Sequence, residues 1–208
     1  MIKQPAGSHK KEEVTVSKSA EMTWRMPAEW EPHEATWIAW PHNRDDWPGK
    51  FPAIPWVYCE IVRHLRTSER VNILVNDEEA PRRVRRRLRR TDVALEGVSF
   101  HTVPTDRVWL RDSGPLFVTR DEAGFRELVL TGWGFNAWAK YPNWQKDCLV
   151  PHHLYKILNR PLVVVSTVRR GMNRTVVLEG GCIDVNGLGC LLATEECLLS
   201  KVQQRNPH

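Results

Sequence analysis

Apolar and polar positions along the chain follow two alternating patterns. A short apolar and aromatic run at residues 35–40 predicts a buried strand. Residues 51–68 carry apolar side chains at helical spacing and predict a helix. The same patterns predict strands at 71–75 and 98–103, with a helix between them at 78–90. Strands that alternate with helices in this way indicate an α/β fold.

The second half of the chain is predicted to continue this alternation. Strands at 116–119 and 126–131 are joined by a turn at 121–124. A helix is expected at 144–158, and further strands at 162–166, 175–178 and 189–193. Residues 1–25 are predicted to form a polar flexible arm, and residues 26–208 a single domain.

Composition is that of one folded domain. Of the 208 residues, 41% are hydrophobic, and 10 are Trp, an excess that suggests a lined pocket or an interface. The five Cys fit neither a disulfide framework nor a zinc pair, so we expect reduced thiols, a cytoplasmic protein and no metal. Neither a secretory signal nor an apolar run near the ~20 residues of a membrane span is seen in the sequence.

The net charge of +5 is concentrated in one segment. Seven arginines stand at positions 82, 83, 85, 86, 87, 89 and 90. An arginine-rich helix can bind nucleic-acid phosphates, but no aromatic residues interleave these arginines for stacking on bases. A solvated helix face is the preferred interpretation, and nucleic-acid binding through this helix is the alternative.

The motif WLRDSGP places Trp109 and Asp112 in a predicted turn at the end of a strand. A carboxylate can accept a forked pair of hydrogen bonds from a guanidinium, and an aromatic face adds cation–π attraction. The motif therefore suits a planar cation. Alternatively, Asp112 pairs with Arg111 or caps the turn.

The motif EGGCIDVNG joins a predicted strand to Glu179 and two glycines, which let the backbone approach another segment closely. Asn186-Gly187 predicts a type I′ hairpin turn, and a plain hairpin with an exposed Glu179 is the alternative. A third motif, GWGFNAW, contains Asn136 and Trp138. It predicts either a pocket wall or a loop folded over the core.

Four segments occur in one order: MPAEWEPHEATWIAWP, WLRDSGP, GWGFNAW, and LEGGCIDVNGLG with LLATEECLLS. Together they resemble the agmatine deiminase and bacterial-type peptidyl-arginine deiminase family, from Met26 to the end of the chain. The resemblance implies the five-bladed α/β propeller (pentein) fold of guanidine-modifying enzymes, of which the chain would form the N-terminal portion. It also implies a hydrolase that converts agmatine and water to N-carbamoylputrescine and ammonia for putrescine biosynthesis, without a cofactor.

Carried over by residue, the resemblance makes Asp112 and Glu179 the catalytic carboxylates that hold the substrate guanidinium. Trp109 would border the substrate, and Asn136 and Trp138 would line the pocket. In the family, the catalytic His lies in a G-H-x-D segment and the nucleophilic Cys in a G-G-G-x-x-H-C segment, and neither motif occurs in this sequence. We therefore expect this chain by itself to have no deiminase turnover.

Other interpretations stay open at this point. The substrate is agmatine or, alternatively, peptidyl-arginine. The chain is an enzyme part or, alternatively, a non-catalytic remnant that binds a guanidine. A homo-oligomer is possible because Trp is enriched at interfaces, and neither nucleic acid nor membrane is expected as a partner.

Overall fold

The computed structural model describes residues 23–122, 124–169 and 172–206. Strands lie at β1 (Thr23–Arg25), β2 (Ala35–Ala39), β3 (Arg70–Val75), β4 (Val98–Thr102), β5 (Leu116–Glu122), β6 (Phe125–Gly132), β7 (Leu162–Val164), β8 (Ser166–Arg169), β9 (Met172–Thr175), β10 (Ile183–Val185) and β11 (Leu191–Ala193). The α-helices are α1 (Ile54–Leu65), α2 (Ala80–Arg90), α3 (Leu110–Ser113), α4 (Val150–Leu158) and α5 (Glu195–Leu199). Of the arm predicted at residues 1–25, the first 22 residues lie outside this description, and the last three form β1.

The first half of the chain builds a parallel sheet with strand order β2-β3-β4. Helix α1 connects β2 to β3, and α2 connects β3 to β4, as parallel pairing requires. Successive residues of β3 point to opposite faces, so Ile73 and Val75 pack with Val62 of α1 and Leu88 of α2. Leu74 faces the other way, and the sheet is therefore buried on both sides.

A second sheet has the order β1-β5-β6-β7 and covers the face of the parallel sheet that carries Leu74. Strands β1, β5 and β6 are antiparallel, whereas β7 returns parallel to β6 after α4. Leu130 of β6 and Val150 and Leu154 of α4 share one core with Leu74. Two hairpins, β8–β9 and β10–β11, complete the described part of the chain, and the mixed α/β class predicted from the sequence is confirmed.

Three local predictions were wrong. The helix expected at 144–158 begins only at Val150, because a short 3₁₀ turn occupies Asp147–Leu149 and Pro151 suits the first turn of α4. The strand expected at 175–178 lies earlier, at Met172–Thr175. Asn186-Gly187 does not form a two-residue turn, because the Asn186 carboxamide oxygen accepts hydrogen bonds from the Leu188 and Cys190 amides and opens a longer loop.

None of the helices in the described residues is long and apolar enough to cross a membrane.

Candidate functional site

The loop between β4 and α3 is fixed on two sides before it reaches the first motif. The Asn76 carboxamide at the end of β3 accepts from the Thr105 amide at 3.0 Å and donates to the Thr105 carbonyl at 2.9 Å. The Asp147 carboxylate accepts from the Asp106 and Arg107 amides at 2.7 and 3.2 Å. Helix α3, a single turn that carries Asp112, therefore starts from a well-defined position. The predicted turn at residues 109–115 is this helical turn.

The two carboxylate motifs pack directly against each other. The Arg111 Nε donates to the Gly180 carbonyl at 3.1 Å, and the Gly181 amide donates to Asp112 Oδ1 at 3.1 Å. A Cβ atom added to Gly180 would lie less than 3.0 Å from the Arg111 carbonyl oxygen, and one on Gly181 equally close to Asp112 Oδ1. Only glycine allows this approach, so the Gly-Gly pair is needed for spatial reasons rather than for a special backbone conformation.

Burial governs the charge state of both carboxyl groups. Glu179 is 2% exposed, and Asp112 is half-buried. Burial raises the pKa of Asp112, while the Gly181 amide and the Arg111 charge lower it. Burial also raises the pKa of Glu179, against the lowering effect of the Arg205 guanidinium. The Arg111 charge beside Asp112 and the Arg205 guanidinium beside Glu179 each favour the ionised form of the neighbouring carboxylate.

An aromatic wall continues from α3. Trp109 packs at 6.0 Å from Trp47 and at 6.4 Å, edge to face, from Trp138. Trp138 in turn meets Phe135 at 5.3 Å and Tyr141 at 6.0 Å, both nearly perpendicular. Edge-to-face pairs of this kind hold indole rings in fixed orientations. The excess of Trp in the sequence is thus partly explained by a wall beside Asp112.

The backbone that carries Trp138 is left-handed over three successive residues that are not glycine. Ala137, Trp138 and Ala139 have φ values of 50°, 58° and 55°. Each such residue costs roughly 1–2 kcal/mol, so this turn is strained. The Asn136 side chain supports it, because its oxygen accepts from the Ala139 amide at 3.1 Å.

A cleft of about 470 Å³ opens in front of this wall. Three of the residues predicted for the site, Trp109, Asp112 and Trp138, line it. The other lining residues are Asp45, Asp46, Arg107, Lys140, Tyr141, Gln203 and Arg205.

Glu179 and Asn136 are not among the residues that line the cleft. The Arg205 Nε donates to Glu179 Oε1 at 3.1 Å, so a lining residue contacts the buried carboxylate. The Asn136 Nδ2 donates to the Arg205 carbonyl at 3.1 Å and therefore supports the chain rather than facing the cleft.

Sequence reasoning missed Arg205 and the Arg107–Asp46 ion pair, whose side chains are 7% and 1% exposed. The polar sequence around Arg205 predicts only a loop. Arg107 is separated from Asp46 by 61 residues along the chain. A local pattern carries no signal for either contact. The position of Arg107 two residues before Trp109 was the one available hint.

Neither a cysteine nor a histidine is among the described residues that line the cleft. Burial raises the pKa of the Cys59, Cys148 and Cys182 thiols, which disfavours the thiolate. Cys182 lies next to the motif, but its Sγ donates to the Glu179 carbonyl at 2.9 Å. Within the described ranges, no group of three or more His, Cys, Asp or Glu side chains is arranged to hold a metal ion.

The arginine-rich segment forms α2, with Val84 and Leu88 on its buried face. Arg85 stacks on Phe100 at 4.4 Å and Arg87 on Trp56 at 4.8 Å. Two of the arginines thus cover neighbouring aromatic rings. Nucleic-acid binding by the others stays an alternative.

Comparisons with known proteins show the family to which the chain is similar. The sequence model of the Porphyromonas-type peptidyl-arginine deiminase family matches residues 25–208. The chain is 35% identical over 192 residues to the agmatine deiminase of Pseudomonas aeruginosa (strain LESB58), covering 89% of this chain and 46% of that protein. It is 31% identical over 191 residues to the agmatine deiminase of Medicago truncatula, covering 89% and 47%.

A solved structure of the agmatine deiminase of Enterococcus faecalis superposes with a TM-score of 0.71 at 29% identity, covering 88% of this chain and 46% of that one. The chain thus spans about half the length of the relatives that it matches. The family match extends over nearly every residue from β1 onward and includes both carboxylate motifs. The chain therefore belongs to the Porphyromonas-type peptidyl-arginine deiminase family.

Proposed function

We propose that this chain supplies the guanidinium-binding half of an agmatine deiminase-type hydrolase, with Asp112 and Glu179 as the carboxylates that take the guanidinium. The observation that carries the proposal is the direct packing of the two motifs, in which the Gly181 amide bonds Asp112 Oδ1. Two segments 69 residues apart are brought together there by glycines. The names of the relatives support the same reaction class.

The chemistry of the cleft fits such a substrate. A guanidinium is planar and cationic, so it can donate to Asp112 while its face rests against Trp109 or Trp138. Partial burial strengthens the attraction, because water screens the charges less. The carboxylates would hold the central carbon of the guanidinium in place for attack by a nucleophile.

In the proposed reaction a thiolate attacks this carbon, the C–N bond breaks, an acid protonates the departing ammonia, and water then displaces the thiolate from the covalent intermediate. The thiols of Cys59 and Cys182 are buried and that of Cys148 is partly buried, and burial raises the pKa of all three, which disfavours the thiolate that a nucleophile needs. We propose that residues beyond these 208 complete the whole enzyme. That this chain alone has no turnover stays a prediction. An ammonia assay with agmatine checks it, and release above the no-enzyme control would disprove it.

Binding can be tested without turnover. Isothermal titration calorimetry should detect agmatine binding to the chain, and putrescine, which lacks the guanidinium, should bind far more weakly. Asp112→Asn should weaken agmatine binding tenfold or more, because about 1.5–3 kcal/mol is lost with a charged hydrogen-bond partner. Asp184→Asn, at an exposed position within the second motif, is the matched control and should leave agmatine binding unchanged. Equal binding by the wild type and Asp112→Asn would refute the role of Asp112.

The substrate we propose is agmatine rather than peptidyl-arginine. A cleft of about 470 Å³ is within the range of sites that enclose a small molecule. Titration with a blocked arginine dipeptide, which resembles a peptide substrate, gives the comparison. Tighter binding of the dipeptide than of agmatine would reverse this assignment.

A further inference from the structure

Arg205 is held rigidly on the side of the cleft where Glu179 is buried. Its Nε donates to Glu179 Oε1 at 3.1 Å, and its Nη1 donates to the Gln203 carbonyl at 2.8 Å. The ion pair is almost fully buried, with side chains 10% and 3% exposed. A buried guanidinium and carboxylate with these additional hydrogen bonds form a strongly coupled pair.

The backbone on both sides of this guanidinium is also fixed. The Asn136 Nδ2 donates to the Arg205 carbonyl at 3.1 Å. The Asn206 side chain pairs with both backbone groups of Val177, accepting from its amide and donating to its carbonyl at 2.9 Å each. Val177 is two residues before Glu179, so Arg205 and Glu179 are tied to the same stretch of chain.

The charges in this part of the site explain why an arginine is needed. Asp112 and Glu179 repel each other, and each is partly or fully buried. Each of two buried carboxylates near one another disfavours ionisation of the other, and a nearby cation counteracts this effect. Arg205 cancels one of the two negative charges.

We propose that Arg205 is a positioning residue for Glu179. It favours the charged form of this carboxylate and fixes its orientation through one oxygen, so that the other oxygen can accept from the guanidinium of the substrate. This inference rests on the proposed function for the identity of the substrate. The Arg205–Glu179 contact itself does not depend on it.

A different interpretation makes Arg205 an occupant that sits where the substrate guanidinium binds. The two interpretations predict opposite results. A positioning residue stays on Glu179 when agmatine binds, and its loss weakens binding. An occupant leaves when agmatine binds, and its loss strengthens binding. The hydrogen bonds on both sides of Arg205 favour the fixed arrangement.

The first experiment is a pH titration of the Glu179 carboxyl carbon by ¹³C NMR, assigned with Glu179→Gln. The groups that face Glu179 are Asp112, Arg205 and the Cys182 thiol. The pKa of Glu179 should rise in Arg205→Gln and rise less in Arg205→Lys, which keeps the charge. Arg86→Gln, on the exposed face of α2, is the control and should leave it unchanged. A Glu179 pKa that does not move in Arg205→Gln would overturn the inference, whether or not the chain binds agmatine.

The second experiment measures agmatine binding by calorimetry at about pH 6 and about pH 8. Arg205→Gln should bind agmatine about tenfold or more weakly than the wild type at the lower pH, with a smaller loss at the higher pH, because a rising pH favours the ionised form of Glu179. A purely structural role would weaken binding equally at both values. Tighter binding than the wild type would establish the occupant instead.

The wild-type chain gives a test that needs no variant to fold. In a ¹⁵N-labelled sample, the Arg205 Nε–H signal should persist, and exchange slowly with water, when agmatine is added. Loss of this signal on saturation with agmatine would show that Arg205 is displaced and would overturn the inference. If the wild type does not bind agmatine, the proposed function fails, while the titration of Glu179 still decides the role of Arg205.

Discussion

Replacement of Gly181 by Ala tests how the two carboxylate motifs meet. The new Cβ would lie less than 3.0 Å from Asp112 Oδ1. Because the Asp112 side chain is short, its carboxylate could avoid this contact only by rotating away from the Gly181 amide. The hydrogen bond from the Gly181 amide would break as the carboxylate turns away. Hydrogen bonds to charged groups contribute about 1.5–3 kcal/mol. Agmatine binding should therefore weaken about tenfold to a hundredfold.

Two further glycine variants separate binding from stability. At Gly180 the obstructing atom is the backbone carbonyl of Arg111, with the Leu116 side chain nearby, so Gly180→Ala should strain the fold itself. Overpacking costs about 1–3 kcal/mol, and each kcal/mol lowers the Tm by about 2–4 °C in a chain of this size. Gly97→Ala has open space but a φ of +76°, so it should cost about 1 kcal/mol and leave binding unchanged.

The assay pairs calorimetric titration of agmatine with thermal unfolding of each variant. We expect Gly181→Ala to lose more binding than stability, Gly180→Ala to lose at least as much stability, and Gly97→Ala to lose stability alone. Wild-type binding by Gly181→Ala would refute the reasoning, because the Asp112 carboxylate would then not need the position that this glycine permits.

Two other predictions concern the loop before α3 and the aromatic wall. Burial raises the pKa of Asp147 to about 6, whereas an unfolded Asp titrates near about 3.9. Since the folded state binds this proton more tightly, its contribution to stability is present below about pH 4 and is lost as the pH rises through about 6. In urea unfolding, the free energy of unfolding of Asp147→Asn relative to that of the wild type should rise by about 2 kcal/mol between about pH 4 and pH 7. A difference between the two proteins that stays constant with pH would contradict this. Trp109→Ala should weaken agmatine binding about 2- to 30-fold, because cation–π attraction is lost. Calorimetry compares it with the control Trp30→Ala, which changes an exposed Trp. An equal effect of both variants would exclude a contribution of the aromatic wall to binding.

The parallel sheet could be predicted from the sequence because its signals are local. The apolar run of β3 and the spacing of Val84 and Leu88 in α2 report burial directly, and both elements lie within two residues of the predicted ranges. The start of the helix predicted at 144–158 was placed too early, because α4 begins at Val150. The residues before Val150 form turns that depend on the contacts of Asp147 with a distant loop.

The site could be predicted only in part, for a similar reason. The carboxylates are adjacent to Trp, Gly and Pro in motifs that mark unusual backbone, so Asp112 and Glu179 could be proposed as site residues from the sequence. Arg205 has no such neighbourhood, and its partner is 26 residues away. The left-handed turn at Trp138 has alanines on both sides, and no propensity predicts it, because tertiary contacts and the Asn136 side chain impose it.

The long sequence separation of the contacts around the cleft has a consequence for how the molecule opens. Asp112 meets Gly181 across 69 residues, as Asn136 meets Arg205, and Arg25 reaches the Gly187 carbonyl across 162. The βαβαβ unit from β2 to β4 closes shorter loops and has a core of its own, so its ordering costs less entropy. Local unfolding of the chain should therefore begin at the cleft while the parallel sheet stays intact. Recognition of a ligand and persistence of the fold are thus carried by different cooperative units, and a ligand that bridges Asp112 and Glu179 would stabilise the weaker of the two.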